Sequence, residues 1–259
     1  EGLWKGEVAR FNPAKAVEYS YEVVREGAVV RTEWKKHHLA LPEGVEAKEL
    51  TVMDRWIDRP ADSPFYSSAF TNAIFGRKAE KAKKAPKGAN VLLQVAAPSL
   101  RPNEVLALAG SGKALKEWTK VVPFDGTDFP VWTLALNVTE PFAYKILVAD
   151  KDTLAPVAWE DGENRWFTEL PQKDEFVVEA DLQVRFGGRN WRGAGTAIPV
   201  FSLRTEDDFG VGEFYDLKKM VDWAAATGQS VLQLLPINDT TMLHTWEDSY
   251  PYNPNSTFA

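Results

Sequence analysis

The chain has 259 residues, 44% of them hydrophobic, with a formal net charge of −7, ten tryptophans and no cysteine. That length accommodates two or so domains with real cores. The negative charge argues against nucleic acid as a partner, and the lack of cysteine excludes disulfides and thiolate metal sites. No apolar run reaches the roughly 18 residues of a membrane span. The three histidines, His37, His38 and His244, do not form a metal ligand set at any familiar spacing, so no metal is expected.

Residues 1–53 read as β structure. "VEYSYEVVREGAVVRTEWKKHHLALP" reads as a hairpin with Glu26-Gly27 as its turn, and a short strand follows near Leu50 to Met53. Residues 54–88 form a connector. Trp56, Phe65, Tyr66, Phe70 and Phe75 make its first part too aromatic for a floppy linker, so an ordered strap is expected. Its tail, "KAEKAKKAPKG", is basic and reads as a solvated helix or tether.

Residues 89–186 are a second β unit. "NVLLQVAAP", "EVLALAGS", "VWTLALNV", "FAYKILVA" and "EFVVEADLQVRF" are strands at short spacing, separated by Pro, Asn, Asp and Gly. Such spacing predicts a small sandwich. "GGRNWRGAG", residues 187–195, is the next boundary, because its glycines permit a sharp turn of the chain.

Residues 196–259 change character. Two short apolar runs, Ala197 to Leu203 and Val231 to Ile237, flank a segment in which Phe214, Leu217, Val221 and Ala224 recur at helical spacing. Gly228 stands where a helix commonly stops. Strand, helix and strand make one βαβ unit with parallel strands. Such a unit needs neighbours, so the chain is expected to be a fragment whose apolar faces and edges here are exposed. The acidic run Glu206, Asp207 and Asp208 is expected to cap the helix, since carboxylates suit its N-terminal dipole.

The motifs now carry a resemblance. "AIPVFSLRTEDDFGVGEFYDLKKMVDWAAATGQSVLQLLPIND" and "DSYPYNPNSTFA" resemble the opening of the catalytic barrel of 4-α-glucanotransferases, glycoside hydrolase family 77. Upstream, Gly110-Ser111, Leu115 and Trp118, then "VW", "AYK" and "AWEDGENRWF", resemble a family 20 starch-binding module. "EYSYEVV…EW" resembles the second half of another such module, with Ser20 in place of the family's lysine. The resemblance implies a multidomain chain: all-β, immunoglobulin-like starch-binding sandwiches, then the first βαβ unit of a (β/α)8 barrel. The implied divisions are residues 1–53, 54–88, 89–186 and 187–259.

The resemblance also implies a site. Trp118 and Trp159 would stack on successive glucose rings, while Lys145, Glu160 and Asn164 hydrogen-bond hydroxyls. Trp132 would be core and Arg165 would hold a structural ion pair. Tyr252, in the loop Asn238 to Phe258, would touch a donor sugar. The family's catalytic carboxylates come from later strands, so no catalytic residue is assigned, and no cofactor is implied. The implied activity is retaining transfer of α-1,4-glucan segments among starch, glycogen or maltooligosaccharides, in the cytoplasm. The alternative is a non-catalytic starch- or glycogen-binding module. Neither reading involves nucleic acid or a membrane.

Overall fold

The structure is a computed structural model and describes residues 4–8, 12, 15–45, 47–78, 81–237, 243, 245 and 252. The chain divides into two compact units, Glu1–Arg189 and Asn190–Ala259.

In the first unit the early strands are β1 (Val17–Tyr19), β2 (Glu22–Arg25), β3 (Ala28–Thr32), β4 (His37–Leu39) and β5 (Glu49–Met53). Next come β6 (Val91–Ala96), β7 (Glu104–Gly110), β8 (Val122–Pro123) and β9 (Val131–Leu136). The last four are β10 (Phe142–Asp150), β11 (Pro156–Trp159), β12 (Arg165–Phe167) and β13 (Glu175–Gln183). The five expected strands of the second β unit are all present; β8, β11 and β12 are short additions beyond them.

Two sheets build the sandwich. One has the order β11-β10-β7-β8, with β12 also paired to β10; the other has the order β5-β13-β6-β9. Alternate residues of β6, Val91, Leu93 and Val95, meet Leu106, Leu108, Ile146 and Val148 of the facing sheet in one core. Trp132 lies in that core at 1% exposure, as expected, and its indole N–H donates to the Ala97 carbonyl at 3.0 Å. An indole is tolerated there because its one polar atom is satisfied.

The expected division at residue 53 is not where the structure divides. β2 and β3 do form the hairpin, with Glu26 and Gly27 both at positive φ, 52° and 80°, as a two-residue primed turn requires. β5, however, pairs in parallel with β13 inside the sandwich, Glu49 opposite Glu175 and Met53 opposite Glu179. Leu39 and Leu92 join Phe176 and Val178 in a second cluster on the outer face of that sheet. Residues 17–53 therefore cover a sheet that would otherwise present an apolar face to water. Parallel strands are normally covered on both faces, and the near-continuous apolar run of β6 fits that rule.

His37, fully buried on β4, meets three carboxylates there. Its Nδ1 lies 2.6 Å from Asp181 and its Nε2 2.8 Å from Glu33, and Asp54 stands 3.8 Å from Nδ1. Ligand-type atoms of His37, Asp54 and Asp181 lie within 4.8 Å of one another, a grouping that histidine spacing in the sequence did not signal. Both ring nitrogens are taken by Glu33 and Asp181, and Asp54 accepts from the Tyr19 and Tyr21 hydroxyls. The cluster is therefore an ion-pair network.

The connector is ordered, as its aromatic content predicted. The rings of Phe65, Phe70 and Phe75 cluster about a single π turn, Ala69–Ile74, and Phe75 is buried. The basic tail departs from the expected helix or tether. Its described part, residues 81–88, runs irregularly, with the Lys83 N–H on Asp125 and Lys84 paired with Glu43 at 2.7 Å.

The second unit contains β14 (Gly195–Ile198), α1 (Leu217–Ala226) and β15 (Val231–Leu234), and β14 and β15 pair in parallel. The βαβ reading stands, with adjustments. The first strand stops at Ile198, because Pro199 and a 3-10 turn, Val200–Ser202, follow it. Gly228 ends the helix at φ 72°, with the Gln229 N–H on the Ala224 carbonyl and the Gly228 N–H on the Ala225 carbonyl. That pair of bonds is the Schellman arrangement, which a glycine accepts without strain.

The acidic run does not cap the helix. Asp208 accepts from the N–H groups of Thr205 and Gly210, while Glu206 pairs with Lys219 at 2.6 Å. The helix entrance is organised by the buried Asp216, which accepts from the Glu213 N–H at 2.7 Å. Of the expected apolar helix face only Ala224 is buried; Phe214 and Val221 are more than half exposed. Val231 and Leu234 of β15 are exposed too, in line with the expectation that this unit shows apolar surface.

Candidate functional site

The site is assembled around β10. On one side β7 pairs with it, Gly110 opposite Tyr144 and Ala109 opposite Lys145. On the other side β11 and β12 pair with it in turn, Trp159 opposite Leu147 and Arg165 opposite Tyr144. Directly opposed residues in an antiparallel pair share a face, and neighbours along a strand alternate. Trp159 therefore shares a face with Leu147 and Lys145. Arg165 shares the opposite, core-directed face with the fully buried Tyr144.

Trp159 is 43% exposed at the end of β11. Trp118 is 36% exposed on the loop after β7. That loop is firmly tied: the Trp118 N–H donates to the Gly110 carbonyl at 2.7 Å, and the Lys120 N–H donates to the carbonyl of the buried Leu115. Lys116, Glu117 and Trp118 all take left-handed φ values, 49°, 47° and 68°. Such a run is unfavourable for L-residues and persists because these bonds hold it. Gly110 is required beneath it, since a Cβ there would stand 2.4 Å from the Ala143 carbonyl. The Trp118 backbone is thus held at Gly110 of β7, opposite Tyr144 on one flank of β10, and Trp159 sits opposite Leu147 on the other flank, three residues further along β10.

Lys145 lies on β10 opposite Ala109, and its Nζ donates to the Gly162 carbonyl at 2.7 Å, leaving two further donors. Asn164 is exposed in the loop joining β11 to β12, and none of the hydrogen bonds described here engages its side chain. Within that loop, Asp161 accepts from the Gly187 N–H at 3.0 Å and gives its own N–H to the Arg185 carbonyl.

Glu160 departs from the expected role. It is 4% exposed, and its carboxylate accepts from the Ile146 N–H at 2.7 Å and from Arg165 at 2.8–3.1 Å. Next to an outward Trp159 the strand alternation turns it inward, so it presents no oxygen to a ligand. Arg165 holds the expected structural ion pair, and Glu160 is its partner. Tyr144, also inward, donates to Glu179 at 3.0 Å; burial, with the Glu179 charge, pushes its pKa up, so it stays a neutral donor.

Tyr252 belongs to the other unit and is 57% exposed. Most of its loop lies outside the described residues, Asp239, Asp248 and Tyr250 among them.

Trp166 is the aromatic that the motif reading passed over. It sits on β12 at 66% exposure, opposite Ala143. The one signal available in sequence was its position, one residue after an inward-pointing arginine.

Comparison with known proteins gives matches to two family models. Residues 88–177 match the family model described as starch binding domain, and residues 198–259 match the one described as 4-alpha-glucanotransferase. The two matched stretches lie in succession along the chain, the starch binding domain match first. It is 33% identical over its whole length to the rice 4-alpha-glucanotransferase DPE2 (Oryza sativa subsp. japonica), of which it covers 29%. Over 65 residues, 25% of the chain, it is 46% identical to a 4-alpha-glucanotransferase of Chlamydia trachomatis, of which that stretch covers 11%. The chain thus spans less than a third of the length of either relative. Among solved structures, the family 20 module of a maltotetraose-forming amylase from Pseudomonas saccharophila aligns at 14% identity with a TM-score of 0.30. That alignment covers 35% of this chain and 97% of that one. The glycoside hydrolase segment contains the β14-α1-β15 unit from Ile198 onward, and the starch binding domain contains both expected indoles.

Proposed function

We propose that residues 88–189 bind α-1,4-glucan in starch, glycogen or maltooligosaccharides, and that the chain is part of a cytoplasmic 4-alpha-glucanotransferase. The observation that carries the binding reading is the pair of exposed indoles, Trp118 on a loop tied to Gly110 of β7 and Trp159 on β11, the two strands that flank β10, which itself carries Lys145. An α-1,4-glucan presents apolar ring faces and a rim of hydroxyls. Indole faces accept the former, while the Lys145 ammonium and the Asn164 amide meet the latter.

In the transfer reaction, an enzyme carboxylate attacks the anomeric carbon and the α-1,4 bond breaks, with a proton delivered to the leaving 4-oxygen. The 4-hydroxyl of a second glucan then gives up its proton, displaces the enzyme carboxylate and restores the α configuration. No residue of this chain is assigned to those steps. Its part is to hold the polymer, with the β14-α1-β15 unit as the opening of a (β/α) barrel and Tyr252 at a sugar-contacting loop.

The second reading, a non-catalytic starch-binding module, is favoured by the match of residues 88–177 to the starch binding domain model, the longer of the two matched stretches. Titration calorimetry with maltoheptaose and β-cyclodextrin tests the binding that both readings share. Binding by the 259-residue chain, weakened about 10-fold or more in Trp159→Ala, is the expected result. A chain that binds neither sugar, or a variant that binds as the parent does, overturns it. Transglycosylation of maltotriose by the complete polypeptide, absent in the 259-residue chain, separates the enzyme from the plain module.

A further inference from the structure

The face that carries Trp159 carries a second exposed indole. Trp159 stands opposite Leu147 and Trp166 opposite Ala143, four residues apart on β10, so both point to the same side of the sheet. Four residues of strand place them about 13 Å apart. Lys145 lies between them on β10 and on that same face. Asn164 lies between them in the chain, in the exposed loop from β11 to β12.

Packing does not account for Trp166. On the same strand Arg165 and Phe167 face inward, where Arg165 holds Glu160 and Phe167 stacks on Phe142 at 5.7 Å. Trp166 faces out with two-thirds of its surface in water. A single exposed indole opposite the small Ala143 is not by itself the contiguous apolar patch of a protein interface. It suits a ligand that alternates apolar faces with hydroxyl edges, and it continues a strip already lined by Trp159 and Lys145.

We propose that Trp166 is a further stacking platform that extends the glucan site along the sheet edge. It gives the domain a preference for chains long enough to reach both Trp159 and Trp166. This rests on the reading of Trp159 as a glucan contact. Glu160, to which the motif gave a ligand role, braces the loop from within, while Trp166, to which it gave none, supplies ligand surface.

The test is calorimetric affinity for maltooligosaccharides of rising length, from maltotriose to well beyond maltoheptaose, with the 259-residue chain and its variants. Trp166→Ala is expected to lose about 10-fold in affinity for the longest chains and nothing for maltotriose, while Trp166→Tyr retains most of the long-chain affinity. A thermal midpoint equal to that of the parent shows that the fold is intact, as expected for so exposed a side chain. Equal affinity of Trp166→Ala and the parent at every length overturns the proposal, as does an equal loss at every length. Trp159→Ala separates the failures. If it binds poorly while Trp166→Ala binds like the parent, the extension alone falls. If neither variant differs from the parent, the underlying site falls with it.

Discussion

Arg165 grips Glu160 on the inward side of the sheet, with Nε 2.9 and 3.1 Å and Nη2 2.8 Å from the carboxylate oxygens. The carboxylate is 3% exposed and the guanidinium 27%. The pair closes the base of the loop that presents Asn164. Arg165 adds a bond from Nη2 to the Gln183 carbonyl at 2.6 Å, tying that loop to β13.

Breaking this pair separates a bracing role from a ligand role. Arg165→Ala leaves a buried carboxylate without its cation, and a loss of about 3 kcal/mol of stability is expected, the low end of the range because Arg165 is partly solvated. Glu160→Gln keeps an acceptor for the Ile146 N–H but loses the charge, so a loss of about 1–2 kcal/mol is expected. Urea unfolding measures both. A Glu160→Gln variant with full stability and lost glucan affinity would instead make Glu160 a direct sugar ligand.

The His37 network predicts a pH dependence. Burial by itself lowers the imidazole pKa, but the hydrogen bonds and charges of Asp181 and Glu33 outweigh it, so the net direction is upward. Asp54, Tyr19 and Tyr21 complete the surroundings, and Lys35 lies near Asp181. A group whose folded pKa is raised stabilises fully below its unfolded pKa and loses that contribution as pH rises through the folded one. The urea midpoint is therefore expected to fall as pH rises from about 6.5, the unfolded value, toward the alkaline side. His37→Gln should lower the midpoint at acid pH and flatten the slope; an unchanged slope counts against the network.

The second unit should exchange its amides quickly. Among the described residues β14 and β15 pair only with each other, and Val221, Trp223, Val231 and Leu234 are exposed. A two-stranded parallel pair with open edges has little to hold it closed. Hydrogen exchange of the 259-residue chain is expected to show β14, α1 and β15 exchanging well ahead of β6, β7 and β10. Protection there equal to that of the sandwich core would contradict this.

Much of the fold was written locally. The Glu26-Gly27 turn, the helix stop at Gly228, the buried Trp132 and the strands around Tyr144 each follow from short-range chemistry: left-handed backbone at Gly, alternation along a strand, apolar runs between turn residues. The motif from Trp159 to Arg165 also pointed to exposed indoles, and Trp118 and Trp159 are both exposed. What the chain order could not convey was partnership between distant segments. β5 looks like the end of a separate module until it pairs in parallel with β13, a match whose Thr51–Glu175 contact bridges 124 residues.

By itself, then, the sequence determined the residue types of the proposed glucan site, the strand segments that carry them and the βαβ character of the last quarter. Only the tertiary structure decided which of the alternating side chains face solvent. The pairing register against β10 turns Glu160 and Arg165 inward and Trp159 and Trp166 outward. A slip of one residue would reverse all four, because successive side chains on a strand point to opposite faces and nothing within the strand itself says which face is solvent.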